Sequence, residues 1–334
     1  MTETPDQPVV RPGPPPARWK RALLTGVKWA LFALVAYFVG RALVGRFADM
    51  AWSDLALRPG WAVAAFLTML VALAWSSVPY HLLLKRFGGA PGGWAVLASI
   101  WVSRIGVYVP GKVGALMGTV WLLRRYRVPA QRSAGAAVMC DGISTIVGLL
   151  LAVPLTLWTP VASRLPLAWL WCLILVAVGL VCLHPRVFGG LCNLALRKLG
   201  RQPFDTLPRA RDLLGPALAI ALQLVLAGSA LWMLCRAATD VPLSALPLLI
   251  SGNALAGVAG FLSFFAPAGL GVQEGILIII LGPVAGPSAA AVITVVRRLL
   301  RTVGDVLMAG AGLLLLRVLG AAPDDEDAGA TTEG

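Results

Sequence analysis

Long unbroken apolar runs alternate along this chain with short basic segments, and that alternation constrains the fold more than any other feature. The runs cover residues 22–44, 60–84, 133–157, 166–183 and 213–235, with broken or charge-bearing stretches at 94–123, 244–283 and 286–318. A helix needs about 20 apolar residues to cross the hydrocarbon of a bilayer. Outer-membrane strands would instead alternate apolar and polar residues over about 10 positions, and these runs do not. Inside lipid a helix satisfies its own backbone hydrogen bonds, so helices are the expected element. Composition agrees: 58% of the 334 residues are hydrophobic and only 13% charged, about half the charged share of a soluble domain. The expectation is an all-α polytopic membrane protein of about 6–8 transmembrane helices. It forms one domain over 19–320, between a proline-rich polar tail (1–18) and an acidic tail (321–334), both expected to be disordered. The first tail is too polar for a signal-peptide core, so the run at 22–44 is read as a retained anchor.

Net charge is +13, which in a soluble protein would suggest nucleic acid. Here the Lys and Arg lie between apolar runs, where they set topology and meet anionic headgroups. No nucleic-acid partner is expected. The N-terminus, Lys85-Arg86, the Arg124–Arg132 segment and the 184–212 loop are all basic. They share one side only if 94–123 enters and leaves by the same face. That places both termini in the cytoplasm, in an inner (cytoplasmic) membrane. Residues 187–199 suit an interfacial amphipathic helix.

Two segments repeat a pattern. Pro110-Gly111-Lys112-Val113-Gly114, ending at Gly118, and Pro267-Ala268-Gly269-Leu270-Gly271, ending at Gly275, both read Pro-x-x-x-Gly-x-x-x-Gly. Each is followed by a small-residue helix, from Ser133 and from Ser288. Halves this short around Pro and Gly read as re-entrant hairpins or broken helices. Three spans separate them, and an odd number inverts orientation, so the pair forms an inverted repeat. The alternative is chance recurrence in a chain with 36 Gly and 24 Pro.

Charge inside apolar sequence is costly and faces a polar cavity or a partner. Arg297, Arg298 and Arg301 lie deep in the last stretch, with Asp305 one turn further on. Arg297 and Arg301 are four apart and share a helix face, where guanidinium forks suit a phosphate. The alternative is that the stretch breaks near Arg298 and these charges sit at an interface. Arg104 and Lys112 flank the first break and suit a headgroup phosphate, although Lys112 equally suits a snorkelling lysine. Glu274 follows the second break and Asp141 sits mid-run; each can pair with an Arg or a coupling cation. Gln223 reads as interhelical glue.

His81 and His184 each end an apolar run and read as interfacial. The five cysteines have neither metal spacing nor a disulfide framework. No phosphate-binding loop, zinc-protease motif or serine elbow is present, so neither a cofactor nor an enzyme activity is expected.

At the two hairpins the chain resembles the transmembrane flippase domain of the lysylphosphatidylglycerol synthase family. Arg104 through Gly118 carry the resemblance, and above all Pro267-Ala268-Gly269-Leu270-Gly271-Val272-Gln273-Glu274-Gly275, similar to the family's Pro-x-Gly-x-Gly-x-x-Glu-Gly. The resemblance implies translocation of a modified phospholipid or a polyprenyl-linked lipid between leaflets. Glu274 and Arg297 stand where the family carries acidic and Arg residues. After the first hairpin the family often has Glu-Arg, where this chain reads Asp141-Gly142. The soluble aminoacyl-transfer domain is not among these residues, so translocation without synthesis is expected. Competing readings are an accessory subunit presenting lipid to a separate glycosyltransferase or synthase, a membrane-embedded transferase, and a solute transporter.

Overall fold

The computed structural model describes residues 58–88, 92–108, 113–157, 167–198, 207–263 and 269–319. Both tails, the run at 22–44, Pro110, Gly111, Lys112 and Pro267 lie outside them. Among the described residues all regular structure is helical. Five of the described runs are long and apolar enough to cross a membrane: Pro59–Arg86, Ala130–Thr156, Ala210–Ala238, Leu243–Leu262 and Pro287–Val318. A bent pair, Trp169–Leu183 with Arg186–Leu194, makes a sixth if taken as one span. The chain is a multi-pass, all-α membrane protein.

Helix α1 (Pro59–Trp75) starts with proline at its first position, where the missing N–H costs nothing. It runs through Ser76 into α2 (Ser77–Arg86), which ends on Lys85 and Arg86. Helix α3 (Gly93–Ser103) tightens into a 3-10 turn at Arg104–Tyr108, and α4 (Val113–Arg124) returns. The limbs are antiparallel. Gly106 abuts the backbone of Gly114 and Ala115, and Ser103 Oγ lies 2.6 Å from Thr119 Oγ1. Eleven and twelve residues of α-helix are about 17 and 18 Å at 1.5 Å per residue, well short of a bilayer core.

Helix α5 (Ala130–Thr156) follows, then α6 (Ala168–Leu183) and α7 (Pro185–Lys198), bent 68° from one another. Helix α8 (Leu214–Ala238) leads to the second hairpin, α9 (Leu246–Leu262) and α10 (Val272–Ala285). It is antiparallel too: Gly252 meets Ile280 and Gly260 meets Gln273. With its 3-10 entry the first limb reaches 20 residues and passes as a span, whereas α10 has only 14.

The last helix, α11 (Pro287–Val318), runs 32 residues without interruption. The stretch therefore does not break near Arg298, and its arginines lie mid-helix.

The hairpins open toward opposite ends of the bundle. Phe87, Val128 and Phe188 are buried together, with Tyr126, Leu207 and Leu213 against them. Arg86 pairs with Asp212 (3.3 Å), and Arg132 donates to Gly88 O (2.8 Å). The ends of α3 and α4 thus lie at this basic end. At the other end Trp61, Ala238, Val241, Leu246 and Ala285 pack together, and Arg58 pairs with Asp240 (2.7 Å). Packing between the halves is reciprocal. Helix α5, which follows the first hairpin, packs on α9 of the second; α11, which follows the second, packs on α3 of the first.

Candidate functional site

Where the halves meet there is a cavity of about 460 Å³, lined from nearly every helix. Three arginines reach it: Arg104 from the first hairpin, and Arg297 and Arg301 from α11. Asp141 lines it from α5, Gln223 from α8, and Gln273 from the second hairpin.

Arg297 is buried, 4% exposed. Its Nη2 donates to Asn253 Oδ1 of α9 at 2.6 Å. Its Nε is buried with no hydrogen-bond partner among the described residues. A buried guanidinium with an unused donor is an expensive group to keep unless something occupies the donor. Arg301, one turn later, lines the same cavity and makes no ion pair with a described residue.

Arg104 is held from both sides. Its Nε pairs with Asp305 Oδ1 at 2.8 Å, and its Nη1 donates to Ser76 Oγ at 3.0 Å. The other oxygen of Asp305 accepts from Tyr108 OH at 2.9 Å, while Thr302 Oγ1 lies 3.3 Å from that hydroxyl. Asp305 is 3% exposed, so both its oxygens are occupied inside the protein.

Glu274 is also buried but does not line the cavity. Gly271 has φ +83°, open to glycine at little cost, and turns the chain into α10. Its N–H donates to Glu274 Oε2 at 2.7 Å, which caps the helix. The other oxygen, Oε1, accepts from Arg298 Nη1 at 3.2 Å, and the Arg298 guanidinium also lies 5.9 Å from the Tyr108 ring. Tyr108 therefore touches both ion pairs, one from each hairpin, on a single stretch of α11.

The geometry brings Arg104, Arg297, Arg301 and Asp141 to one cavity and sets Glu274 and Asp305 behind its wall as anchors. Gly106 serves the close approach of the first hairpin, against the backbone of Gly114, and Gly269 (φ +67°) with Gly271 serves the turn into α10. Gly142, where the family often carries Arg, faces α6: a Cβ there would lie 2.9 Å from Leu183 Cδ2. The departure at Asp141-Gly142 thus removes nothing from the cavity lining. Asn253, Tyr108 and Ser76 are site residues that sequence reasoning missed. A lone Asn inside the apolar run of α9 was the available signal. Among the described residues no three His, Cys, Asp or Glu side chains could hold a metal ion together.

Chemically, the cavity offers two guanidinium groups without a carboxylate partner among the described residues. That suits binding an oxyanion. Comparison with curated proteins gives no match. The pattern of the lysylphosphatidylglycerol synthase TM region, however, matches residues 23–309, nearly the whole chain, and the chain belongs to that family.

Proposed function

We propose that the protein moves an anionic lipid, a phospholipid or a polyprenyl-linked lipid, between the leaflets of the cytoplasmic membrane. The observation that carries this reading is the pair Arg297 and Arg301, four apart on one helix, facing a cavity with no carboxylate bonded to either among the described residues. Guanidinium forks match phosphate oxygens in geometry and charge. The headgroup occupies the cavity and its acyl or prenyl chains stay in the bilayer. The two hairpins act as re-entrant elements of an inverted repeat, one entering from each side. Their opposite orientation and reciprocal packing support this, since sites in such folds lie where paired broken helices meet. The basic end, with its cluster around Phe87 and Val128, faces the cytoplasm by the excess of Lys and Arg there. Asp141, on the cavity wall, balances charge or takes a coupling cation.

The test is leaflet exchange of labelled phosphatidylglycerol and of a labelled polyprenyl phosphate in liposomes carrying the full chain. Arg297→Ala with Arg301→Ala is expected to slow exchange by about 100-fold or more, as loss of two charge-assisted contacts implies. Exchange equal to wild type overturns the phosphate-holding role. Wild-type inactivity with a co-purified synthase or glycosyltransferase would turn the reading to an accessory subunit.

A further inference from the structure

Asp305 is placed so that two sets of hydrogen-bond donors compete for it. On one side stand Arg104 and Tyr108, from the 3-10 turn that ends the first limb of the first hairpin. On the other stands Arg301, four residues earlier on the same uninterrupted helix. Side chains at that spacing are neighbours. Asp305 is the single acidic residue of α11, so it is the carboxylate α11 itself can offer Arg301. As the structure stands, Arg104 and Tyr108 hold both oxygens of Asp305, and Arg301 faces the cavity.

From this we infer that Asp305 exchanges partners during transport. With the first hairpin latched to α11, Asp305 belongs to Arg104 and Tyr108, and Arg301 is available to an oxyanion. When the hairpin leaves, it takes Arg104 and Tyr108 with it. A buried carboxylate left unpaired is strongly disfavoured, and Arg301 turns to it. That withdraws Arg301 from the bound phosphate and lowers the affinity of the site as the hairpin opens. By linkage, a bound anion holds Arg301 away from Asp305 and favours the latched state. Asp305 is thus a positioning residue that acts on the ligand through Arg301 and supplies release. The inference rests on the anion-transport reading and adds a role which that reading does not require.

The second hairpin is anchored differently. Glu274 is fixed by the N–H of Gly271 in its own turn as well as by Arg298. It keeps one partner whether or not α11 shifts, so the exchange is specific to the first hairpin.

Two quantities separate this role from a structural one: retention of fluorescent phosphatidylglycerol by the detergent-purified full chain, and its leaflet exchange in phosphatidylcholine liposomes. Asp305→Asn removes the competitor for Arg301. Retention is expected to be undiminished while exchange falls about tenfold or more. Retention and exchange falling together, or exchange equal to wild type, overturns the inference. Tyr108→Phe removes one donor to Asp305 and leaves every charge in place, so Asp305 turns more readily to Arg301. Retention is expected to fall about fivefold, and unchanged retention overturns the inference even if the Asn variant does not fold. If the wild type exchanges no probe, the transport reading fails, and the Tyr108→Phe retention alone decides the inference.

Discussion

Gly106→Ala is expected to lower the thermal unfolding midpoint of the detergent-purified protein clearly, and Gly106→Leu to prevent recovery of monodisperse protein. A Cβ at position 106 would overlap the carbonyl carbon of Gly114 and stand 2.5 Å from the amide nitrogen of Ala115. Both obstacles are backbone, so no side chain can rotate away. The limbs of the first hairpin must separate. That strains the Ser103–Thr119 contact (2.6 Å) and the Arg104–Asp305 pair (2.8 Å), both within three residues of it. Overpacking of well-fitted cores costs about 1–3 kcal/mol, and an obstacle that cannot repack puts this case at the upper end. The matched control is Gly118→Ala, whose Cβ would come 3.2 Å from the Cβ of Ser103. A shift of a few tenths of an ångström relieves that contact, so its midpoint should move much less. Equal effects of the two alanines would show that the limbs are not in backbone contact.

Glu274→Ala should be the most damaging single truncation of a polar side chain. It removes the cap of the Gly271 N–H and a partner of Arg298 at once. Glu274 is 5% exposed and the Arg298 side chain 15%, so the groups left behind regain only part of their hydration. Removing one member of a buried ion pair costs about 3–5 kcal/mol, because the survivor keeps its charge without the carboxylate that offset it. Glu274→Gln keeps an oxygen for the Gly271 N–H and should retain part of the stability. Glu274→Gln with Arg298→Gln removes both charges and should be more stable than Glu274→Ala. A thermal melt of the set gives the coupling between the two positions. Additive losses would mean that the 3.2 Å contact carries no interaction. Arg58→Ala, at the exposed Arg58–Asp240 pair, serves as the contrast and should leave the melt unchanged, since water solvates whatever the mutation leaves behind.

Helix limits in the long runs were readable because the physics that sets them is local. The apolar runs at 60–84, 133–157 and 213–235 correspond to Pro59–Arg86, Ala130–Thr156 and Leu214–Ala238. Prolines and basic residues mark their ends. The breaks between the limbs were readable for the same reason: Pro and Gly interrupt the apolar sequence between Tyr108 and Val113 and between Leu262 and Val272. The assignment of charges to partners was not readable. Spacing puts Arg297 and Arg301 on one helix face and Arg298 off it, without naming a partner for any of them. The structure supplies the partners. Arg297 turns to Asn253, Arg298 to Glu274, and Arg301 to the cavity.

Composition and run length alone thus determined an all-helical membrane protein, its long helices and the presence of costly charge within them, because burial of backbone and side chain in lipid is decided residue by residue. Only the tertiary structure decided that Asp305 belongs to Arg104, 201 positions away, that Glu274 is an anchor and not a cavity residue, and that Arg297 and Arg301 face the cavity with no carboxylate bonded to either among the described residues. Those outcomes depend on the register of two antiparallel hairpins against one long helix. That register is set by backbone contacts such as Gly106 on Gly114, and no local pattern in the chain encodes which distant helix will supply the partner.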